Sequence, residues 1–311
     1  MEAVAVELLH KTYGKTSAVE NLSFTVEPGS LYGLIGPDGA GKTTFMRIAA
    51  CLLLQDAGTL LIEGLDTRRR EKDIKSIIGY MPQRFSLYPD LSVRENLVFF
   101  ADLFGVGRSE REKRIGQLLE FSRLGPFLNR RAEALSGGMK QKLALSCTLI
   151  HTPRVLFLDE PTTGVDPVSR REFWSILADI RRNGTTIVVS TPYMDEAEKC
   201  DRVGFMMNGA FVMEGTPDEI PKRFGRDILS VRAPGLVKRS RGFIFPDCVL
   251  DVQTFGDRLH LTVADAEKAL PTVRSFLMQQ GIKDLVIERT DTSMEDVFMD
   301  RMRSRAETVG V

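Results

Sequence analysis

A glycine-rich stretch from Leu31 to Thr44, LYGLIGPDGAGKTT, constrains this chain more than any other part of it. It begins as a short apolar strand, continues as a turn and ends in the first turn of a helix. Its GxxxxGK[ST] pattern is typical of a loop that binds phosphate, because glycine lets backbone N–H groups approach an anion at a helix N-terminus. The expected phosphate-binding residues are Gly36, Pro37, Asp38, Gly39, Ala40, Gly41, Lys42, Thr43 and Thr44.

Two side chains of this loop are candidates for direct roles in catalysis and metal binding. Lys42 reaches the outer phosphates as a point charge and is expected to be catalytic, and the Thr43 hydroxyl is a candidate Mg²⁺ ligand. An ordinary glycine-rich turn before a helix is the alternative, but the strand–loop–helix order argues against it. The stretch therefore predicts nucleotide binding.

The composition is that of a globular chain and restricts its partners. The 311 residues include 42 basic and 42 acidic side chains, so the formal net charge is zero. A neutral chain has no long-range attraction to nucleic acid, which we do not expect as a partner. The four scattered cysteines predict a reducing cytosol rather than a disulfide framework. No apolar stretch approaches about 18 residues, so we expect any membrane-spanning part to belong to another chain.

Strands and helices alternate over the first two thirds of the chain. Strands that are apolar throughout, such as Val155–Asp159, are typical of a mainly parallel sheet covered on both faces. Ligands of such sheets bind at the carboxyl ends of the strands, where the pattern places both Lys42 and the pair Asp159–Glu160. We expect this α/β nucleotide-binding domain to span residues 1–222. Residues 223–311 are interpreted as a small α+β domain without a catalytic constellation.

The two acids at the end of strand Val155–Asp159 fit a hydrolytic site. Asp159 is expected to hold Mg²⁺ directly or through water, and Glu160 to orient and deprotonate the attacking water. An acidic pair that only caps the following turn is the alternative. Gln83, in a loop after a strand, is a candidate contact for Mg²⁺ or the water, and Tyr13 is a candidate for stacking on adenine. Taken singly, Gln83 fits an exposed loop glutamine better than a ligand, and Tyr13 fits a surface tyrosine in a turn better than a stacking residue.

A second candidate anion site lies at Ser136–Gly137–Gly138, which opens a helix. Simple capping by Ser136 is the alternative and needs no ligand. Two glycines at a helix start cost about 0.5–1 kcal/mol each if they count as helix interior. We therefore expect another interaction to compensate for them.

The combination of motifs resembles the ATP-binding-cassette family over about residues 1–220. The family's parts occur in order: Tyr13, the loop GPDGAGKTT, Gln83 in YMPQ, the signature LSGGMKQ at Leu135–Gln141, the strand VLFLDEP, and GVD at Gly164–Asp166. The resemblance implies a P-loop NTPase core with a mainly parallel sheet, an antiparallel β subdomain and a helical subdomain.

The same resemblance implies ATP and Mg²⁺ as ligands, with Thr43, Gln83 and Asp159 around the metal. It also implies a head-to-tail pair of nucleotide domains, in which each ATP lies between one phosphate loop and the other domain's signature loop. Ser136, Gly137 and Gly138 then face the partner's γ-phosphate, and Gln141 of the signature joins the nucleotide contacts.

The chain is most similar to ATPase subunits of bacterial drug and antibiotic exporters, which implies a peripheral position on the cytoplasmic face of the membrane. In that group the loop after the glutamine receives a helix from the membrane subunit. Here the loop is Arg84–Asp90, with Phe85, Leu87 and Tyr88 as expected exposed anchors. Core packing of these side chains is the alternative.

Two positions depart from the family pattern. Pro192 stands where the family has a histidine that contacts the γ-phosphate, and proline has neither a side-chain donor nor an N–H. Asp38 puts a carboxylate where Asn or Ser is common, beside a triphosphate. We hypothesise that this chain's own site hydrolyses ATP slowly, that the partner's site is competent, and that a heterodimer is favoured over a homodimer.

Two other functions remain open at this point. A cassette ATPase acting on ribosomes or DNA usually carries a second cassette or a coiled-coil insertion, and this chain has neither pattern. A non-hydrolysing ATP sensor or assembly module is compatible with Pro192, but it has no use for the base Glu160. Export is therefore the leading hypothesis, and the exported substrate is chosen by the membrane subunit.

Overall fold

The computed structural model describes residues 1–84 and 87–309, and of residues 303–309 the backbone alone. The chain divides into two compact units, Met1–Glu214 and Gly215–Val311. The division thus falls after Glu214, whereas the sequence places it after Lys222.

The strands of the first unit form a mainly parallel sheet and an antiparallel one. In chain order they are β1 (Val4–Tyr13), β2 (Thr16–Val26), β3 (Leu31–Ile35), β4 (Ala57–Ile62), β5 (Leu65–Asp66), β6 (Ile78–Met81), β7 (Val155–Asp159), β8 (Thr186–Thr191), β9 (Arg202–Met207) and β10 (Ala210–Gly215). The helices are α1 (Lys42–Ala49), α2 (Glu71–Ile77), α3 (Val93–Leu103), α4 (Arg108–Ser122), α5 (Gly137–Leu149), α6 (Pro167–Arg182) and α7 (Met194–Ala197).

The mainly parallel sheet has the order β10-β9-β3-β8-β7-β6, with parallel pairing from β9 through to β6. Strands β3, β7 and β8 are buried at every residue, as their unbroken apolar sequences predict. Because β3, β8 and β7 are neighbours and run in the same direction, their carboxyl ends meet at one edge. That edge carries the candidate site.

The antiparallel sheet has the order β2-β1-β4-β5 and shares its core with α1. Phe45 of α1 packs against Phe24 of β2, with the ring centroids 5.3 Å apart. Helices α3, α4 and α5 form a separate helical region around a core that includes Leu97, Ile115 and Leu143. The three subdivisions implied by the family resemblance are therefore present.

The sequence predicts most element types correctly and some ends incorrectly. Strand β1 continues to Tyr13, which the sequence analysis treats as a residue of a surface turn. Helix α1 ends at Ala49, because Cys51 adopts a left-handed backbone (φ 53°) and the Leu52 N–H donates to the Arg47 carbonyl at 2.8 Å. Helix α3 begins with a capping box, formed by the reciprocal hydrogen bonds of Ser92 and Glu95.

The second unit is an α+β fold. Its elements are α8 (Glu219–Lys222), β11 (Asp227–Arg232), α9 (Leu236–Arg239), β12 (Val249–Phe255), β13 (Arg258–Val263), α10 (Ala266–Gln279), β14 (Val286–Thr290) and α11 (Met294–Val309). The strands form an antiparallel sheet of order β12-β13-β11-β14, and α10 covers its apolar face. Helix α8 packs against α11, so the segment before residue 223 belongs to this unit. None of the helices in the described part of the chain is long and apolar enough to cross a membrane.

Candidate nucleotide-binding site

The loop between β3 and α1 is built around glycines that the surrounding backbone requires. A Cβ at Gly36 would collide with the carbonyl oxygen of Met206, and one at Gly41 with that of Ala18. Gly41 also has a φ of 103°, and as N-cap of α1 it provides no side-chain acceptor. The first N–H groups of α1 are therefore free of a side-chain cap, as an anion-binding helix start requires.

Lys42 is buried at the centre of this loop, with only 3% of its surface exposed. Its ammonium donates to the carbonyl oxygens of Gly36 at 2.8 Å and Pro37 at 3.0 Å. It also forms an ion pair of 3.1 Å with Glu160, which is 5% exposed. The lysine predicted from the loop and the acid predicted from β7 thus meet directly.

Asp159 lies beside the first turn of α1, where its Oδ1 accepts from the Thr43 hydroxyl at 3.1 Å and from the Ser190 hydroxyl at 2.7 Å. Its Oδ2 is buried and has no hydrogen-bond partner among the described residues. Burial raises the pKa of Asp159 above its ordinary value, and the hydroxyl hydrogen bonds of Ser190 and Thr43 oppose this shift. A buried oxygen without a partner, next to the Thr43 hydroxyl, suits a hard cation.

Glu160 is held on both sides of its carboxylate. Oε1 faces Lys42, while Oε2 accepts from the Gln83 amide at 2.9 Å and from the Thr163 hydroxyl at 3.4 Å. Gln83 thus contacts the predicted base itself in this state. Gln83 therefore lies next to the candidate base, and its own role stays a prediction.

Tyr13 lies at the end of β1 and is 48% exposed. Its hairpin partner β2 passes directly over the phosphate loop, because the Ala18 carbonyl occupies the space beside Gly41. An exposed aromatic face near the loop is compatible with stacking on a base.

An anion ligand would explain only some residues of the signature segment, Leu135–Gln141. Ser136 caps α5 by accepting from the Met139 N–H at 3.3 Å. A Cβ at Gly138 would collide with the Ser169 side chain, so packing accounts for this glycine. A Cβ at Gly137 would meet nothing, and the residue is exposed. Tertiary packing at Gly138 is therefore an interaction that offsets the cost of a glycine at the start of α5. Packing does not explain Gly137, which is left as the candidate contact for an anion.

Gln141 of the signature is partly buried and lines a cavity of about 490 Å³ together with Gln83, Gly137 and Thr163. This cavity connects the glutamine loop, the start of α5 and the segment after Glu160. The described residues that line it include none from 36–44, so the signature residues and the chain's own phosphate loop do not share it.

Pro192 follows β8 directly. The carbonyl of the preceding residue, Thr191, accepts the Gly36 N–H at 3.4 Å. Pro192 therefore begins beside the phosphate loop, and it is half-buried there.

The loop after Gln83 only partly matches the expected docking surface. Leu87 is wrong as an exposed anchor, because it is partly buried against the core of the helical region. Tyr88 is 44% exposed and packs on Phe99 with the ring centroids 4.4 Å apart. Phe85 lies outside the described residues.

Ser190 belongs to the site and Glu196 lies next to it, outside the cluster of site residues, and both were missed in the sequence. Ser190 bridges the two acids, since its Oγ donates to Asp159 and accepts from the Glu160 N–H at 3.0 Å. The signal for Ser190 was a polar residue near the end of an apolar strand that neighbours β7. The sequence around Glu196 carries no signal for a site residue, because its hydrogen-bond partners, Thr162 and Thr191, lie on other segments.

The fold and this cluster define a P-loop nucleotide-binding protein. The ABC transporter family profile matches residues 19–163, and the profile described as "ATP-binding protein DrrA1-3-like, C-terminal domain" matches residues 215–302. The chain is 40% identical over 286 residues to the probable multidrug ABC transporter ATP-binding protein YbhF of Escherichia coli, covering 91% of this chain but 49% of that protein. It thus spans about half the length of this relative.

A relative of similar length is the Nod factor export ATP-binding protein I of Paraburkholderia xenovorans, with 36% identity over 96% of both chains. Among solved structures, a dimeric post-hydrolysis state of the ATP-binding cassette MJ0796 bound to ADP and Pi matches with a TM-score of 0.63 and 27% identity, over 68% of this chain and 98% of that one. The chain belongs to the ABC transporter family of ATP-binding proteins, which confirms the resemblance found in the sequence.

The buried charge of Asp159 predicts an effect of pH on stability. Because folding raises its pKa above the ordinary 3.8, the ionised carboxylate destabilises the fold at neutral pH, and this penalty disappears below the unfolded value. Asp159→Asn is therefore expected to raise the free energy of unfolding of the ligand-free chain at pH 7, with a gain that shrinks as the pH falls towards 4. Urea unfolding followed by the fluorescence of Trp174, the single tryptophan, measures it.

Asp56→Asn is the matched control with the opposite sign. Lys11 and Thr12 hydrogen bonds hold the pKa of Asp56 below its ordinary value, so this substitution is expected to destabilise the chain at pH 7. A loss of stability in Asp159→Asn, or a gain that does not change with pH, contradicts the interpretation.

Proposed function

We propose that the chain is the ATP-binding and ATP-hydrolysing subunit of an exporter. One observation carries this proposal: a cluster at the carboxyl ends of neighbouring parallel strands, in which Lys42, Asp159 and Glu160 are buried, joins Lys42 to Glu160 (3.1 Å), Thr43 to Asp159 (3.1 Å) and Gln83 to Glu160 (2.9 Å). A phosphate-binding lysine, metal-binding oxygens and a candidate general base are the parts that ATP hydrolysis needs.

The residues present fit a magnesium ion. Thr43 and Asp159 offer hard oxygen ligands, Gln83 offers an amide oxygen, and the partnerless Oδ2 of Asp159 supports a cation in this place. When bound, Mg²⁺ supplies positive charge that neutralises the phosphate oxygens.

In the proposed mechanism the phosphates of ATP replace Glu160 as the anionic partner of Lys42. The loop N–H groups and the Lys42 ammonium then bind the phosphate oxygens. Glu160, released from Lys42, orients a water and takes its proton on a carboxylate oxygen, while Gln83 and Thr163 hold that carboxylate by hydrogen bonds. Asp159 keeps its position through Ser190.

A second nucleotide domain completes each site in this proposal. Gly137 is exposed at an N-terminal helix turn, and Ser136 and Gln141 lie beside it, which suits contact with a phosphate presented by another domain. The dimer of the related cassette MJ0796 supports such a pair. Pro192 lies beside the phosphate loop and offers no hydrogen-bond donor there, which supports slow hydrolysis at this chain's own site. A slow site on this chain favours a heterodimer over a homodimer.

Export and a position on the cytoplasmic face are inferred from relatives whose names describe multidrug transport and Nod factor export. The multidrug name favours drug-like substrates, and in this proposal the chain that spans the membrane is a separate permease. Tyr88 and Phe99, exposed on the helical region, are the proposed contacts with it.

The membrane partner is tested by copurification. The tagged chain, expressed in its native cell and extracted in detergent, is expected to recover a protein with multiple membrane-spanning helices. Tyr88→Asp is expected to reduce this recovery at least about tenfold by placing a charge in the contact, which corresponds to about 1.4 kcal/mol of binding free energy. Met278→Asp, on an exposed position of the second unit, is the control. Recovery of only soluble proteins contradicts the proposal.

The role of Pro192 is tested by Pro192→His. A histidine returns one donor to the phosphate, and one preorganised donor is worth about 10²–10³ in turnover in other active sites. The purified single chain is therefore expected to hydrolyse ATP slowly, and the variant at least about tenfold faster, in a steady-state phosphate-release assay. Fast turnover by the unmodified chain, or no gain in the variant, argues against a slow site.

A further inference from the structure

Glu196 is a fully buried carboxylate, 0% exposed, that lies outside the cluster described above. Its Oε1 accepts from the Thr162 hydroxyl at 2.6 Å, and its Oε2 accepts from the Thr191 hydroxyl at 2.5 Å. Both threonines are themselves buried, with 1% exposure each. Burying a carboxylate is expensive unless it is well hydrogen-bonded, so these contacts fix the two threonines strongly.

One threonine belongs to the segment that carries the candidate base Glu160, and the other belongs to the segment that carries Pro192. Thr162 follows Glu160 by two residues, and Thr191 directly precedes Pro192. Thr191 also presents its carbonyl to the Gly36 N–H of the phosphate loop and its hydroxyl to the Tyr193 N–H at 3.1 Å. A single side chain therefore connects the segment of the candidate base to the segment at the phosphate loop.

The backbone of Glu160 needs such support. It adopts a left-handed conformation with a φ of 49°, which is unfavourable for a residue with a Cβ. On its N-terminal side, the Glu160 N–H donates to the Ser190 carbonyl at 3.1 Å and to the Ser190 hydroxyl at 3.0 Å. Downstream, the contact of Thr162 with Glu196 holds the chain. The two attachments together maintain a conformation that the isolated segment would leave.

Helix α6 adds a third contact. The Arg170 Nε lies 3.7 Å from Glu196 Oε1, and its guanidinium stacks on the Tyr193 ring with the carbon 4.2 Å from the centroid. Arg170 thus supplies positive charge beside the buried carboxylate. The same helix begins directly after Gly164–Asp166, the segment that follows Thr162.

We propose that Glu196 is a positioning residue for hydrolysis, which holds Glu160 in register with the phosphate loop through Thr162 and Thr191. The inference rests on the proposed ATP hydrolysis. Glu196 contacts neither Lys42 nor the phosphate loop itself, so its loss is expected to displace Glu160 and to lower kcat far more than it changes the affinity for ATP. A displacement of about 1 Å at a reacting group costs about 10²-fold in rate.

The test compares Glu196→Ala and Glu196→Gln with Glu198→Ala, an exposed glutamate two residues away. Each is made in the unmodified chain and in Pro192→His, and both kcat and the equilibrium Kd for ATP are measured. Glu196→Ala is expected to lower kcat by about 10–10²-fold and to change Kd less than about twofold. Glu196→Gln is expected to keep most of the rate, because its amide can hydrogen-bond both hydroxyls.

Thr162→Val keeps the side-chain volume, removes one hydroxyl, and provides the test if Glu196→Ala does not fold. It is expected to lower kcat as Glu196→Ala does, again with unchanged Kd, and the double variant to lower it no further. An unchanged kcat in the folded variants, or a parallel loss of kcat and ATP affinity, overturns the role of Glu196. If neither the unmodified chain nor Pro192→His hydrolyses ATP, the proposed function and this inference are both overturned.

Discussion

The ion pair between Lys42 and Glu160 is the interaction on which the rest of the site depends. Both side chains are almost fully buried, and each is satisfied further, Lys42 by two loop carbonyls and Glu160 by Gln83 and Thr163. A buried pair is tolerated only with such additional hydrogen bonds. It forms because β3 and β7 flank β8 in the same direction, so that the residues following both strands converge at one edge.

This pair also defines what ATP must do on binding. The charge of Lys42 is neutralised by Glu160, the proposed base. Phosphate therefore competes with Glu160 for Lys42, and binding of the nucleotide and release of the base become one event. The glycine-walled loop and the uncapped start of α1 supply the remaining attraction for the anion.

The parts that the sequence predicted well are those set by local pattern. The phosphate loop, the strand Val155–Asp159 with its acids, and the cap at Ser136 each depend on residues adjacent in the chain. The parts it missed depend on segments far apart in sequence. Gly138 is a glycine because Ser169 of another helix lies against it. Leu87 is partly buried because it packs on the helical core, and the environment of Glu196 is set by Thr162 and Thr191. No periodicity within one segment carries these contacts.

Equilibrium binding of ATP to Lys42→Ala and Glu160→Gln tests the central claim most directly. The two side chains lie 3.1 Å apart in one ion pair, yet the account predicts opposite effects. Lys42→Ala is expected to weaken ATP binding by at least about 10²-fold, and a charge-assisted phosphate contact worth about 3 kcal/mol corresponds to that loss. Glu160→Gln is expected to bind ATP more tightly than the unmodified chain, because Lys42 no longer has a competing anion. Weaker binding in both variants, or no change in either, would contradict the account.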